Sequence, residues 1–178
     1  MEEKKKKIQK LCKGLDAFTK IAFVLLVVAS ILMLLLMIGS LVAKDYLVDF
    51  FNTHSANISG NFNVLLSDSK FIIATYFGLI IIYLIVISAV MFRANEIFKN
   101  IKNDGLPFKN VNSTKIRDIA VAIVVYSLLP QMNINTRGLW DVNIGINLGS
   151  FLFAVVFVLL SIIFEYGCLL QQESDETL

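Results

Sequence analysis

Residues 116–134 read IRDIAVAIVVYSLLPQMNI, and whether they cross a bilayer decides the topology of everything around them. Ile119 to Leu129 is an eleven-residue apolar run that ends at Pro130. A hydrocarbon core takes about 20 residues of helix. Read over all 19 positions the stretch comes close to that length, at the cost of taking in Arg117, Asp118, Gln131 and Asn133. We read it as the third of four spans. The other three are plainer: residues 21–43, 71–92 and 144–164 are long apolar runs. A chain of 178 residues with 57% hydrophobic side chains, 17% charged ones and a mean hydropathy of +0.73 is too apolar for a soluble domain.

The fold expected is therefore an all-α integral membrane four-helix bundle in a single domain, with spans at 21–43, 71–92, 116–134 and 144–164. Between them lie an outer loop at 44–70, an inner loop at 93–115 and a second outer loop at 135–143. The first run follows a lysine-rich start, as a secretory signal does. It is too long for a signal's apolar core of about 7 to 15 residues, and Leu41 stands where cleavage after Ala43 would need a small residue. We read it as a retained helix.

Basic residues orient the bundle. Residues 1–20 carry seven and residues 93–117 carry six, whereas the two outer loops hold only Lys44, Lys70 and Arg137. Short loops rich in lysine and arginine stay in the cytoplasm. Both termini are thus expected inside the cell membrane, with the tail at 165–178 facing the cytoplasm.

The search for catalytic chemistry is negative. His54 is the lone histidine, in an outer loop, and metal centres want several spaced ligands. Cys12 and Cys168 form no CxxC pair and both fall on the reducing side. Phosphate-binding, serine-hydrolase and zinc-protease motifs are lacking, and an NIS triplet at Asn57 is too short to carry weight. No cofactor, metal or enzymatic activity is expected. The apolar cores of spans one, two and four hold no ionisable group, unlike those of pumps and voltage sensors.

Charges gather instead at the inner ends of the spans: Arg93 after span two, Arg117 and Asp118 before span three, Glu165 after span four. Their grouping predicts a polar network at that face, with Glu165 meeting Arg93 or Arg117. Small residues spaced by four predict close helix approach: Gly39 with Ala43, Ala74 with Gly78, and Gly145 with Gly149, all in the outer half. Outside, Tyr46, Phe50, Phe51 and Trp140 suit the membrane interface.

Two inner segments are amphipathic. In residues 1–20, Ile8, Leu11, Leu15 and Phe18 repeat at spacings of three, four and three, and lysines fill the other faces. Seven basic and three acidic residues leave the arm net +4. It is expected to lie as an interfacial helix on the anionic lipid of the inner leaflet. After span two, Ala94, Ile97, Phe98 and Ile101 share a face, so the helix should continue past the membrane and bend along it. Gly105 then caps it, Pro107 prevents resumption, and Asn112 or Ser113 caps the next helix.

The NDGLPF turn at 103–108, the short third span and the end FEYGCLLQQESDETL resemble a widespread family of small four-helix bacterial membrane proteins of unknown function. Members are often encoded beside a small Cro-type helix-turn-helix regulator. The resemblance implies a regulatory partnership and carries over no catalytic or binding residue; the basic arm is longer here than the family leads one to expect. The tail then takes on meaning. Glu165, Gln171, Gln172, Glu173, Asp175 and Glu176 are candidates for docking a small basic DNA-binding protein, by competing for the surface it uses on phosphate. Direct nucleic-acid binding is not expected. Two other classes stay open: an immunity or envelope-stress protein whose outer loops intercept a membrane-active peptide, and a small transporter or channel.

Overall fold

The computed structural model describes residues 2–43, 45–46, 70–104, 108–134, 140–143 and 145–176. Four helices and one hairpin follow in order: α1 (Glu2–Val42), α2 (Lys70–Asp104), α3 (Asn110–Leu128), β1 (Gln131–Ile134), β2 (Trp140–Asn143) and α4 (Leu148–Glu176). Three helices are long and apolar enough to cross a membrane, over Lys6–Val42, Ala74–Asn103 and Leu148–Ser174. The chain divides into two compact units. One comprises residues 1–26, 86–128 and 147–178, the other 27–85 and 129–146.

The third helix differs from the span expected at 116–134, and it is not among the three long and apolar enough to cross. Helix α3 runs from Asn110 only to Leu128, and residues 131–134 are a strand paired antiparallel with 140–143, Met132 opposite Val142. Pro130 lacks the N–H a continuing helix needs. Hairpin pairing then satisfies backbone groups that a frayed helix would leave bare. In the second unit Tyr83 of α2 donates its hydroxyl to the carbonyls of Leu129 and Pro130, acceptors just beyond the last turn of α3. Phe77 and Ser40 are buried in the same unit.

The arm at 1–20 is not a separate interfacial helix. It is the first half of α1, with no break before the apolar run. Gly14 is its weakest helix former, and no proline interrupts the sequence there. The segment after span two is likewise part of α2, as expected, but it does not bend off to present its apolar face to a membrane surface. Ile97 and Ile101 are buried in a core with Cys12, Ile116 and Ile119, and Ala94 and Phe98 pack against that core. Neither does Asn112 or Ser113 cap α3. The helix begins at Asn110, and both side chains are buried inside its first turns. Gly105 and Pro107 lie outside the described residues, as do His54, Asn57, Phe50, Phe51, Arg137 and the rest of 47–69.

Helices α3 and α4 pack antiparallel along a seam of small residues. Ser113 donates its hydroxyl to the carbonyl of Ser161 at 3.0 Å, and Ser161 donates to the carbonyl of Ser113 at 3.0 Å. At the other end the Asn147 N–H donates to the carbonyl of Ser127 at 2.9 Å, while Asn147 Oδ1 accepts the Ser150 N–H at 3.0 Å and so caps α4. These two anchors set one register, which brings Ala120 opposite Ala154, each 1% exposed. The seam residues are thus Ser113, Ala120 and Ser127 on one helix and Asn147, Ala154, Ser161 and Cys168 on the other, all seven apart. Small residues at heptad spacing keep two backbones close over the whole contact.

Candidate functional site

The first unit gathers the charged ends of all four helices, and two polar clusters form there. In the first, Arg93 reaches Glu96 at 3.0 Å and Asp118 at 3.2 Å, and Lys115 reaches Glu96 at 2.7 Å. The pairs tie α2 to α3. Glu96 lies beyond the apolar run of α2, and its carboxyl is held below the usual carboxylate range by the Lys115 ammonium, with Arg93 adding to the effect against the opposing penalty of burial.

The second cluster ties α1 to α2. Asn95 donates to the backbone carbonyl of Asp16 at 2.8 Å, to its carboxylate at 3.0 Å and to the Thr19 hydroxyl at 3.1 Å. Lys102 forms an ion pair with the Asp16 carboxylate, and Gln9 donates to the Lys102 carbonyl at 3.3 Å. Asp16 too sits outside the apolar runs, and its carboxyl is lowered mainly by the hydrogen bond from Lys102. One turn further on, the Phe23 and Phe92 rings meet at 5.6 Å between centroids. A third polar link, Asn100 to Asn112 at 3.0 Å, joins α2 to the start of α3.

The network expected from Arg93, Arg117, Asp118 and Glu165 is therefore only partly assembled. Arg93 and Asp118 pair; Arg117 and Glu165 are exposed, and among the described residues neither takes part in these bridges. Its other members are Glu96 and Lys115. Each lies three residues from a member already recognised, on the same face of its helix, and that spacing of opposite charges was a usable signal. No such signal links Asp16 to Lys102, 86 positions apart.

The tail is the continuation of α4, helical through Glu176, with Glu165, Glu173 and Glu176 on its exposed surface. Between residues 148 and 178 stand four acids and no basic residue. Gln171 and Gln172 border a cleft of about 330 Å³, lined also by Phe108, Lys109, Val111 and Cys168. Phe108 meets Phe164 in a tilted contact, 5.2 Å between ring centroids, and closes over Gly167, where an added Cβ would fall 2.6 Å from the ring. Only a glycine admits the ring at that distance. Cys12 and Cys168 are buried free thiols.

The pairs at spacing four play little part in packing. Gly145 precedes α4, and a Cβ there would meet nothing within 4 Å; one at Gly149 would meet only the Asn147 side-chain oxygen, at 3.4 Å. Gly78 lies 4.0 Å from the Met37 sulfur by the same measure, an ordinary contact within the second unit. Ala43 is just past the end of α1, with its N–H bonded to the Gly39 carbonyl at 2.8 Å, and Ala74 is partly buried on α2.

Among the described residues no group of three histidine, cysteine or carboxylate side chains is placed to hold a metal ion. What the unit offers is a cluster of charges and the helical, acidic end of α4. Comparison of the chain with protein-family models, with curated proteins and with solved structures found no match to any of them, so a functional reading rests on this geometry.

Proposed function

We propose that this chain is a multi-pass protein of the cell membrane, with both termini cytoplasmic, whose α4 extension docks a basic cytoplasmic partner. The observation that carries this reading is the unbroken α4. A disordered acidic end would have no fixed face, whereas here the acids ride on a helix whose base is clamped by α3.

Basic residues and the seam both support this orientation. Lysines and arginines concentrate on residues 1–20 and 93–117. The register of α3 against α4 makes α3 run the height of the apolar stretch of its neighbour, which supports a crossing by the short third helix as well. Four crossings return the tail to the side of the arm. The partner class suggested by the acids is a small DNA-binding protein of the helix-turn-helix kind, whose phosphate-binding surface is basic. Held on the tail, such a regulator is kept from its operator until a signal releases it.

The test is photocrosslinking in cells from residues 171 to 176, with a control probe in the outer loop. Capture of one basic DNA-binding protein from the tail alone supports the dock. Capture from neither probe, or from the outer loop only, overturns it. The same crosslink should vanish in a chain truncated at residue 170 that still inserts.

A further inference from the structure

Two exposed apolar stripes on the first unit are matched to each other in spacing, height and charge. On α1 the stripe is Ile8, Leu11, Leu15, Phe18 and Leu25, at the three-and-four spacing of a helix seam with Ala22 between the last two. On α4 it is Leu152, Val156, Leu159, Ile163, Tyr166 and Leu170, at spacings of four and three throughout. This second stripe lies on the face opposite the seam with α3, because its members fall midway between Ala154, Ser161 and Cys168. Both are well exposed: Leu11 61%, Phe18 65%, Leu152 65%, Tyr166 62%.

Their heights follow from contacts within the unit. Phe23 meets Phe92, the adjacent Arg93 pairs with Asp118, and the seam register sets Asp118 opposite Val156. Measured from that line, Leu11 lies twelve residues out along α1 and Leu170 fourteen residues out along α4, in the same direction. Both positions lie further out than Asp16, Lys102 and Asn112, beyond the charged network, so the outer parts of both stripes stand past the apolar runs. The helices are antiparallel. Lys13, Lys10, Lys7 and Lys6 are then ordered outward alongside Glu165, Glu173 and Glu176. An arm of net +4 faces a helix that carries four acids and no base.

We infer that the α1 arm of one copy packs on the α4 stripe of a second copy of this chain. Charge decides between the two ways the stripe can pair. Two α4 helices in parallel align Glu165, Glu173 and Glu176 with themselves, a row of like charges, whereas α1 against α4 pairs opposite signs along the whole extension. A two-fold axis along the bundle makes the contact twice, once from each arm. This goes beyond the docking reading and does not depend on it.

The test uses full-length chains with Cys12→Ala and Cys168→Ala, in two differently tagged versions co-expressed in native membranes. One carries Leu11→Cys, the other Leu170→Cys, and catalysed oxidation follows. The contact yields a mixed-tag disulfide dimer, several-fold more abundant than the dimer from two Leu170→Cys chains. Changing Lys6, Lys7, Lys10 and Lys13 to Glu abolishes it, and changing Glu165, Glu173 and Glu176 to Lys in the other chain restores it, which guards against a variant that merely misfolds. Overturning results are a dominant dimer of Leu170→Cys chains, no rescue by the reversed charges, or no dimer with Leu11→Cys labelled by a lipid-confined maleimide. The last assigns the arm to an anionic membrane surface.

Discussion

Replacing Ala154 by Leu should be among the most damaging single substitutions in the chain, although it exchanges one apolar side chain for another in an apolar helix. Ala154 is 1% exposed and stands opposite Ala120, itself 1% exposed, midway between two hydrogen-bonded anchors. The extra carbons have no space unless the helices part. Overpacking alone costs about 1–3 kcal/mol. Parting the helices also strains the reciprocal Ser113–Ser161 bonds and the Asn147–Ser127 bond. Each such bond in a membrane protein is worth about 0.6 kcal/mol, so losing three adds roughly 2. The total is about 3–5 kcal/mol, which for a chain of this size lowers Tm by about 10 °C. Thermal unfolding in detergent, followed by circular dichroism, measures it. Val155→Leu, one position along on an exposed face, and Gly145→Ala, in open space, serve as controls and should stay within about 0.5 kcal/mol of the parent. If Ala154→Leu is as mild as Val155→Leu, or Gly145→Ala proves the costlier change, the seam does not hold these helices together.

Three further outcomes follow from single contacts. Tyr83→Phe removes the donor to the Leu129 and Pro130 carbonyls, and should lower stability by about 1–2 kcal/mol in the same unfolding measurement. Gly167→Ala drives a methyl into the Phe108 ring, costing about 1–2 kcal/mol, and Phe108→Leu in the same chain should recover most of the loss; an uncompensated double variant would refute the ring contact. The lowered Asp16 carboxyl makes arm docking dependent on pH. A carboxylate whose folded pKa lies below its unfolded value stabilises at all pH above the ordinary range near 4, and the contribution fades as pH falls through the folded value. A nitroxide at Lys13 should therefore be immobile at neutral pH and gain mobility under acid conditions, and Asp16→Asn should flatten that transition while leaving the arm more mobile throughout.

How far this fold was legible depended on whether its determinants were local. Three helices long enough to span could be read because apolar length is a property of the run itself, and the gathering of charge at one end because counting lysines needs no partner. The end of the third helix was misplaced by six residues. There Pro130 competed with a hydrophobicity window, and the hairpin that takes over is set by pairing across a turn, which no run of residues displays. The arm was read as a membrane-surface helix from a true stripe, Ile8 to Phe18, which does remain exposed. What ties the arm down is a different face, Cys12, Asp16 and Thr19, whose partners Ile97, Asn95 and Lys102 lie about 80 positions away. The close-packing motif was sought at spacing four, where glycophorin-like pairs occur, while the seam uses spacing seven; Ser113, Ala120, Ser127 and Asn147, Ala154, Ser161, Cys168 stood in plain view in the wrong period. Of the expected network, Arg93 and Asp118 are brought together where α2 meets α3, whereas Arg117 and Glu165 stay exposed.

If the proposed dock and the proposed arm contact both hold, they address the same acids, and this sets a constraint on how docking works. Glu165, Glu173 and Glu176 present one row of charge, and a helix of about 44 Å offers one apolar stripe beside it. An α1 arm seated there leaves neither for a second ligand. Dimer and docked complex are then alternative states of one surface, and a ligand that binds only the open state pulls the population toward it in proportion to its differential affinity. Raising the concentration of the partner should lower the mixed-tag crosslink between Leu11→Cys and Leu170→Cys, and truncation at residue 170 should lose partner binding and weaken that crosslink together. Independence of the two readouts would mean that partner and arm use separate faces of α4.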